Sequence, residues 1–158
     1  MSTTQPNLST AWRLFQTIYF ALLAGQVILF MVMKYLRSTS DAPGSEFSLP
    51  LYVLQGVSVL FVFLGVGIFL YLMKDASAKP NIEEKFNAFR SASLAQWGLI
   101  EGATIVQIID YYLTGSDVAQ GGVGVGLFLF FLRRPKKIEL FYRLKLDSTE
   151  RLLFEPVA

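Results

Sequence analysis

Four apolar stretches separated by short polar connectors dominate this 158-residue chain, and they leave few folds open to it. The stretches cover about 14–35, 51–73, 94–113 and 118–132. Their apolar residues come in blocks, not in the spaced pattern of a half-buried helix or strand. The second stretch runs without a charged residue and is long enough to cross a ~30 Å hydrocarbon core with some tilt. The expected fold is all-α. Residues 1–132 form an integral membrane four-helix bundle, and residues 133–158 form an amphipathic cytoplasmic and interfacial tail.

Composition removes several chemistries. Hydrophobic residues make up 53% of the chain, and it contains no cysteine and no histidine. Disulfides, Cys/His zinc sites, iron–sulfur clusters and histidine-ligated haem are therefore excluded from its own side chains. Cysteine nucleophiles and histidine acid–base catalysis are excluded as well. No metal, no cofactor and no enzymatic activity are expected.

Local signals place the elements. Residues 1–11 read as a polar tail ending in a cap at Ser9 or Thr10. The 12 residues Met1 to Trp12 carry no basic side chain, so the first apolar run reads as an uncleaved anchor. Trp12, Tyr19, Tyr35 and Tyr52 read as anchors at the membrane interface. The connector 38–46 has the composition of an irregular loop, and Pro50 suits a helix's first turn. Gly65 and Gly67 permit a close helix neighbour.

Asn81 and Glu84 have the spacing of a capping box. Ile82, Phe86 and Phe89 share one helical face. An interfacial helix is expected there, leading into the third span without a break. The fourth stretch is short, about 22 Å from Val118 to Leu132 at 1.5 Å per residue. Pro135 ends that helix. Residues 138–142 return apolar side chains to the interface, and Asp147 to Glu150 opens a last short helix.

Charge sets the orientation. Four spans put the N-terminus, the 74–90 loop and the tail on one side. That side holds Arg13, four basic residues in the loop and seven in the tail; the other holds only Lys34 and Arg37. The positive-inside rule then places both termini in the cytoplasm.

The third stretch carries the polar residues that need a reason. Glu101, Thr104, Gln107 and Asp110 recur every three residues, so the stripe winds by about 60° per step. Glu101 and Asp110 fall on opposite faces, ~13 Å apart along the axis. Asp110, beside Tyr111 and Tyr112, reads as a solvated acid at the outer interface. Glu101 reads either as a proton or ion site, or as a structural carboxyl bonded to Gln16, Gln26 or a partner subunit. Gly122 and Gly126 form a GxxxG pair for helix packing. Arg133, Arg134, Lys136 and Lys137 set topology and meet lipid headgroups. Nucleic acid is not an expected partner.

Two resemblances accompany these motifs. Ala95-Gln-Trp-Gly-Leu-Ile-Glu-Gly-Ala-Thr-Ile-Val106 resembles the carboxylate helix of the rotor-ring proteolipid (c) subunits of rotary ATP synthases. About 12 residues carry the likeness. It implies that Glu101 holds a proton or a sodium ion. Leu99-Ile-Glu-Gly102, Tyr112-Leu-Thr-Gly115, Arg134-Pro-Lys-Lys137 and Leu144-Lys-Leu-Asp-Ser-Thr-Glu150 together are similar to a family of uncharacterised small four-helix inner-membrane proteins of Bacteroidetes-type bacteria. That resemblance implies a multi-pass membrane protein without implying an activity.

The expected function is a non-enzymatic membrane subunit or accessory protein of a larger bacterial complex. The alternative is a c-like carrier using Glu101. The expected partners are membrane lipids and other membrane subunits or a second copy. Phe61, Phe63, Phe128, Phe130 and Phe131 are expected to supply contact surface.

Overall fold

The computed structural model describes residues 8–39 and 51–154. They form the helices α1 (Leu8–Thr39), α2 (Leu51–Met73), α3 (Ile82–Thr114) and α4 (Asp117–Leu132), then the short helices α5 (Lys137–Arg143) and α6 (Ser148–Leu152). A 3-10 turn, Ala76–Ala78, joins α2 to α3, and no strand occurs among the described residues. Ser38 and Thr39, expected in the irregular connector 38–46, belong to α1; 40–46 and Pro50 lie outside the described residues.

Two of these helices, α1 and α2, are long and apolar enough to cross a membrane. Only 17% of the most apolar 18-residue stretch in each is buried. A core helix of a soluble protein would be hydrophobic all round and mostly covered. Here Phe20 and Ile28 on α1 and Phe63 and Leu70 on α2 stand exposed instead.

Helix α3 is the hub. It packs against α2, α4 and α1, and α1 also touches α4. Small residues set the α2–α3 distance. A Cβ on Gly65 would sit 3.3 Å from the Gln96 carbonyl oxygen, and one on Gly102 would sit 3.1 Å from the Phe61 ring. With 33 residues, α3 is about 50 Å long and exceeds a ~30 Å hydrocarbon core. Its first turns carry Phe86 and Phe89 into an aromatic core.

That core joins distant parts of the chain. Phe15 stacks on Trp97 with ring centroids 4.7 Å apart, and Tyr19 stacks on Phe130 at 5.1 Å. The polar tips are satisfied, as buried Tyr and Trp require. The Tyr19 hydroxyl donates to the Phe130 carbonyl at 3.0 Å, and Trp97 Nε1 donates to the Arg133 carbonyl at 3.1 Å. Phe154 sets its ring edge-on to Trp12 and also meets Phe86 and Phe141. The tail is tied down further by a 2.7 Å Lys85–Glu150 ion pair and by Lys137 Nζ donating to the Phe154 carbonyl at 2.7 Å. Residues beyond 132 thus share one core with the helices before it.

Helix ends follow local chemistry. Asp147 and Glu150 close the capping box of α6 reciprocally. The backbone N–H of Glu150, with the Thr149 hydroxyl, holds the Asp147 carboxyl below the usual carboxylate range. Gly115 ends α3 in the left-handed conformation, φ 69°. Arg37 reaches from α1 to donate to the Tyr112 carbonyl, one of the acceptors left open at that helix end.

Several expectations are corrected. Helix α1 starts at Leu8, so Ser9 and Thr10 lie inside it instead of capping it later. Asn81 does stand at the N-cap of α3, but its side chain donates to Glu84 Oε1 and makes no capping bond to the backbone. Trp12 and Tyr19 are core residues, not interface anchors. Phe130 is fully buried and gives no outer contact surface, and Phe61 is half-buried against Gly102. In each aromatic case the residue type suits an interface and a core equally, and long-range packing decides.

Candidate functional site

The polar stripe of α3 becomes a seam because α4 and α2 meet it with complementary residues. On α4, glycines make room. A Cβ on Gly122 would lie 2.7 Å from Gln107 Cδ, and one on Gly126 would lie 3.1 Å from Thr104 Cβ. The Gln107 contact, and the still closer approach of a Gly126 Cβ to the Thr104 hydroxyl oxygen, are shorter than real Cβ atoms show, so both positions require glycine while Gln107 and Thr104 stay where they are. Thr104 turns its hydroxyl back to the Ile100 carbonyl at 2.9 Å.

On α2, two polar residues one turn apart complete the seam. Gln55 Nε2 donates to Gln107 Oε1 at 2.8 Å and reaches Asp110 Oδ2 at 3.4 Å. Gln107 Nε2 donates to Ser58 Oγ at 2.7 Å, and Ser58 donates to the Leu54 carbonyl at 3.0 Å and the Ala103 carbonyl at 3.2 Å. The result is a continuous chain of hydrogen bonds from Asp110 through Gln55 and Gln107 to Ser58. Above this floor, between α2 and α4, opens a cleft of about 390 Å³ with apolar walls that include Val59, Val62, Val125 and Leu129.

Gln55 and Ser58 were not singled out in the sequence. Their i, i+3 spacing in an otherwise apolar helix was the available signal.

Asp110 departs from expectation. It is fully buried, not solvated at the outer interface. Gln55 and Thr114 approach its two oxygens at 3.4 and 3.5 Å, and Thr114 also donates to the Asp110 carbonyl at 2.8 Å.

Glu101 stays outside the seam. It is half-buried, and no hydrogen bond or ion pair engages it among the described residues. The expected bond to Gln16 or Gln26 is absent. Gln26 is itself buried, with neither its amide nitrogen nor its oxygen hydrogen-bonded among the described residues. On α1 it lies between Tyr19, which meets Trp97, and Phe30, which meets Tyr111. That register places Gln26 level with the Thr104–Gln107 turn of α3.

The basic run divides its work. The Arg133 carbonyl accepts from Trp97, Arg134 lies over the Phe131 ring at 5.7 Å, and Lys137 is engaged by the Phe154 carbonyl. Lys136 remains exposed at the start of α5.

Compared with known proteins, the chain matches no family model, no curated sequence and no solved structure. The geometry of its own residues therefore carries the functional reading.

Proposed function

We propose that this chain is a non-enzymatic integral membrane subunit, or accessory protein, of a larger bacterial inner-membrane complex. In this reading α1, α2, the later part of α3 and α4 span the membrane, and both termini face the cytoplasm. The polar groups turned inward and the broad apolar surface left outside support the membrane setting. The short α4 is accommodated by local thinning or by snorkelling of Arg133 and Arg134.

The single observation that carries the subunit role is Glu101. A half-buried carboxyl at membrane depth, without a donor among the described residues, calls for one from outside. A neighbouring subunit supplies it. The exposed aromatics Phe63, Phe128 and Phe131 add contact area. The same observation fits a second reading, in which Glu101 carries a proton or a sodium ion as in the rotor-ring proteolipids.

Native mass measurement of the chain purified in mild detergent separates the two. As a subunit, wild type and Glu101→Gln both run in an assembly heavier than one chain, and Glu101→Leu loses it. As a carrier, Glu101→Gln abolishes ion movement, and a carbodiimide labels Glu101 unless sodium or high pH protects it. A single-chain mass for wild type, with no labelling, contradicts both.

A further inference from the structure

At the end of α2 the tail folds over Met73 and leaves a cleft of about 500 Å³. Phe141, Tyr142, Arg143, Lys145 and Arg151 complete its lining. Three cations thus face one cavity that no carboxylate lines. Arg143 already pairs with Glu139 through Nε at 2.8 Å, and no ion pair engages Lys145 or Arg151 among the described residues.

Both arginines are held in place from behind. Arg143 lies over the Phe69 ring at 4.9 Å, and Arg151 lies over Phe141 at 5.7 Å with its Nε on the Leu146 carbonyl at 3.0 Å. A guanidinium fixed through Nε keeps two terminal nitrogens in the plane that suits a phosphate. Lys145 stands between α5 and α6 with φ 51°, a left-handed conformation that a lysine adopts only at a cost. No local turn chemistry calls for a long cationic side chain there. Asn or Gly would serve the backbone better.

We propose that this cleft is a binding site for the phosphate of an anionic phospholipid headgroup. The inference rests on the membrane reading above and uses cations other than the 133–137 run. Its surroundings favour a lipid over a free anion. Tyr142 and Ile138, one turn apart on α5, are 85% and 81% exposed, and Leu152 and Leu153 are exposed beside Arg151. Met73, the last residue of an apolar helix, forms the cleft's other edge. A phosphate bridging the three cations would leave its acyl chains against that apolar rim.

The test uses the full-length protein in detergent, titrated with phosphatidylglycerol or phosphatidylcholine and read by native mass measurement of bound lipid. Phosphatidylglycerol should be retained and phosphatidylcholine should not. Lys145→Gly removes a charge yet relieves the backbone. The variant should therefore keep or gain thermal stability while binding phosphatidylglycerol about fivefold more weakly, the effect of one cation near an anionic headgroup. Arg151→Gln should weaken binding comparably or more. Unchanged retention in both variants overturns the proposal. So does retention lost only when Arg133, Arg134 and Lys136 are changed to Gln, which would move the headgroup to that run. Inorganic phosphate displacing nothing supports the lipid, and equal binding of inorganic phosphate without lipid overturns it. A chain that stays soluble without detergent and ignores neutral vesicles would instead remove the membrane reading beneath it.

Discussion

The Gln107 side chain occupies the space that a side chain at Gly122 would need, its Cδ 2.7 Å from where that Cβ would stand. The contact joins α3 to α4 and simultaneously holds the amide that bonds Gln55 and Ser58. Glycine in α4 is thus a condition for the polar seam. Gly122→Ala and Gly126→Ala should each destabilise the protein by about 1–3 kcal/mol through overpacking. Gly126→Ala should cost more, because the β-branched Thr104 has no flexible end to move. Gly121 and Gly124 have open space at the Cβ position. Their alanine variants should be neutral, or more stable by up to about 1 kcal/mol from helix propensity. Thermal unfolding in detergent measures all four.

Removing Gln107 should unpair its neighbours. Gln107→Leu leaves the Gln55 amide short of its best acceptor, at an expected cost of about 1–3 kcal/mol. In the double variant with Gln55→Leu, part of that loss should return, because both partners are then apolar. Additive losses would show that the two amides do not act as a pair.

The end of α3 should be sensitive at a residue far from the seam. Gly115 holds φ 69°, and a Cβ there would lie 2.6 Å from Arg37 Cζ. Gly115→Ala should cost about 1–2 kcal/mol from the left-handed backbone alone, before any displacement of Arg37. Arg37→Ala should weaken the same helix end by freeing the Tyr112 carbonyl, and combining the two should give less than the sum. A double-variant cycle on melting temperature checks this.

Acid should open the tail's last helix only at unusually low pH. The hydrogen bonds from Glu150 and Thr149 depress the Asp147 pKa. Its contribution to stability is therefore present above the unfolded value of about 3.9 and is lost as pH falls through the lower folded value. The Glu150 amide resonance should titrate below the ordinary carboxylate range. Titration at or above the ordinary value would contradict the capping geometry.

The sequence made the helices legible where the signal is local. Helix α2 fills the uncharged stretch 51–73, the 82–114 helix is continuous, and α6 begins at the capping residues that mark it. What it hid depends on partners far away in the chain. Trp12 and Tyr19 looked like interface residues because nothing nearby announces Phe154 or Phe130. Asp110 looked solvated because its depth depends on Gln55, one helix away. Glycines 122 and 126 were visible as a packing pair, but the side chains they admit were not. The basic cleft was invisible for the same reason, since Met73 and Arg151 meet only through the fold.

Whether the chain crosses the membrane with both ends inside is directly measurable, because it contains no cysteine. Single cysteines at exposed positions, Thr39→Cys, Ala78→Cys, Asp117→Cys and Ser148→Cys, can be treated in intact cells with a thiol reagent that cannot cross the membrane. Positions 39 and 117 should react in intact cells, and positions 78 and 148 only after the membrane is opened. Reaction at 148 in intact cells, or protection at 117 until the membrane is opened, would contradict the four-span arrangement.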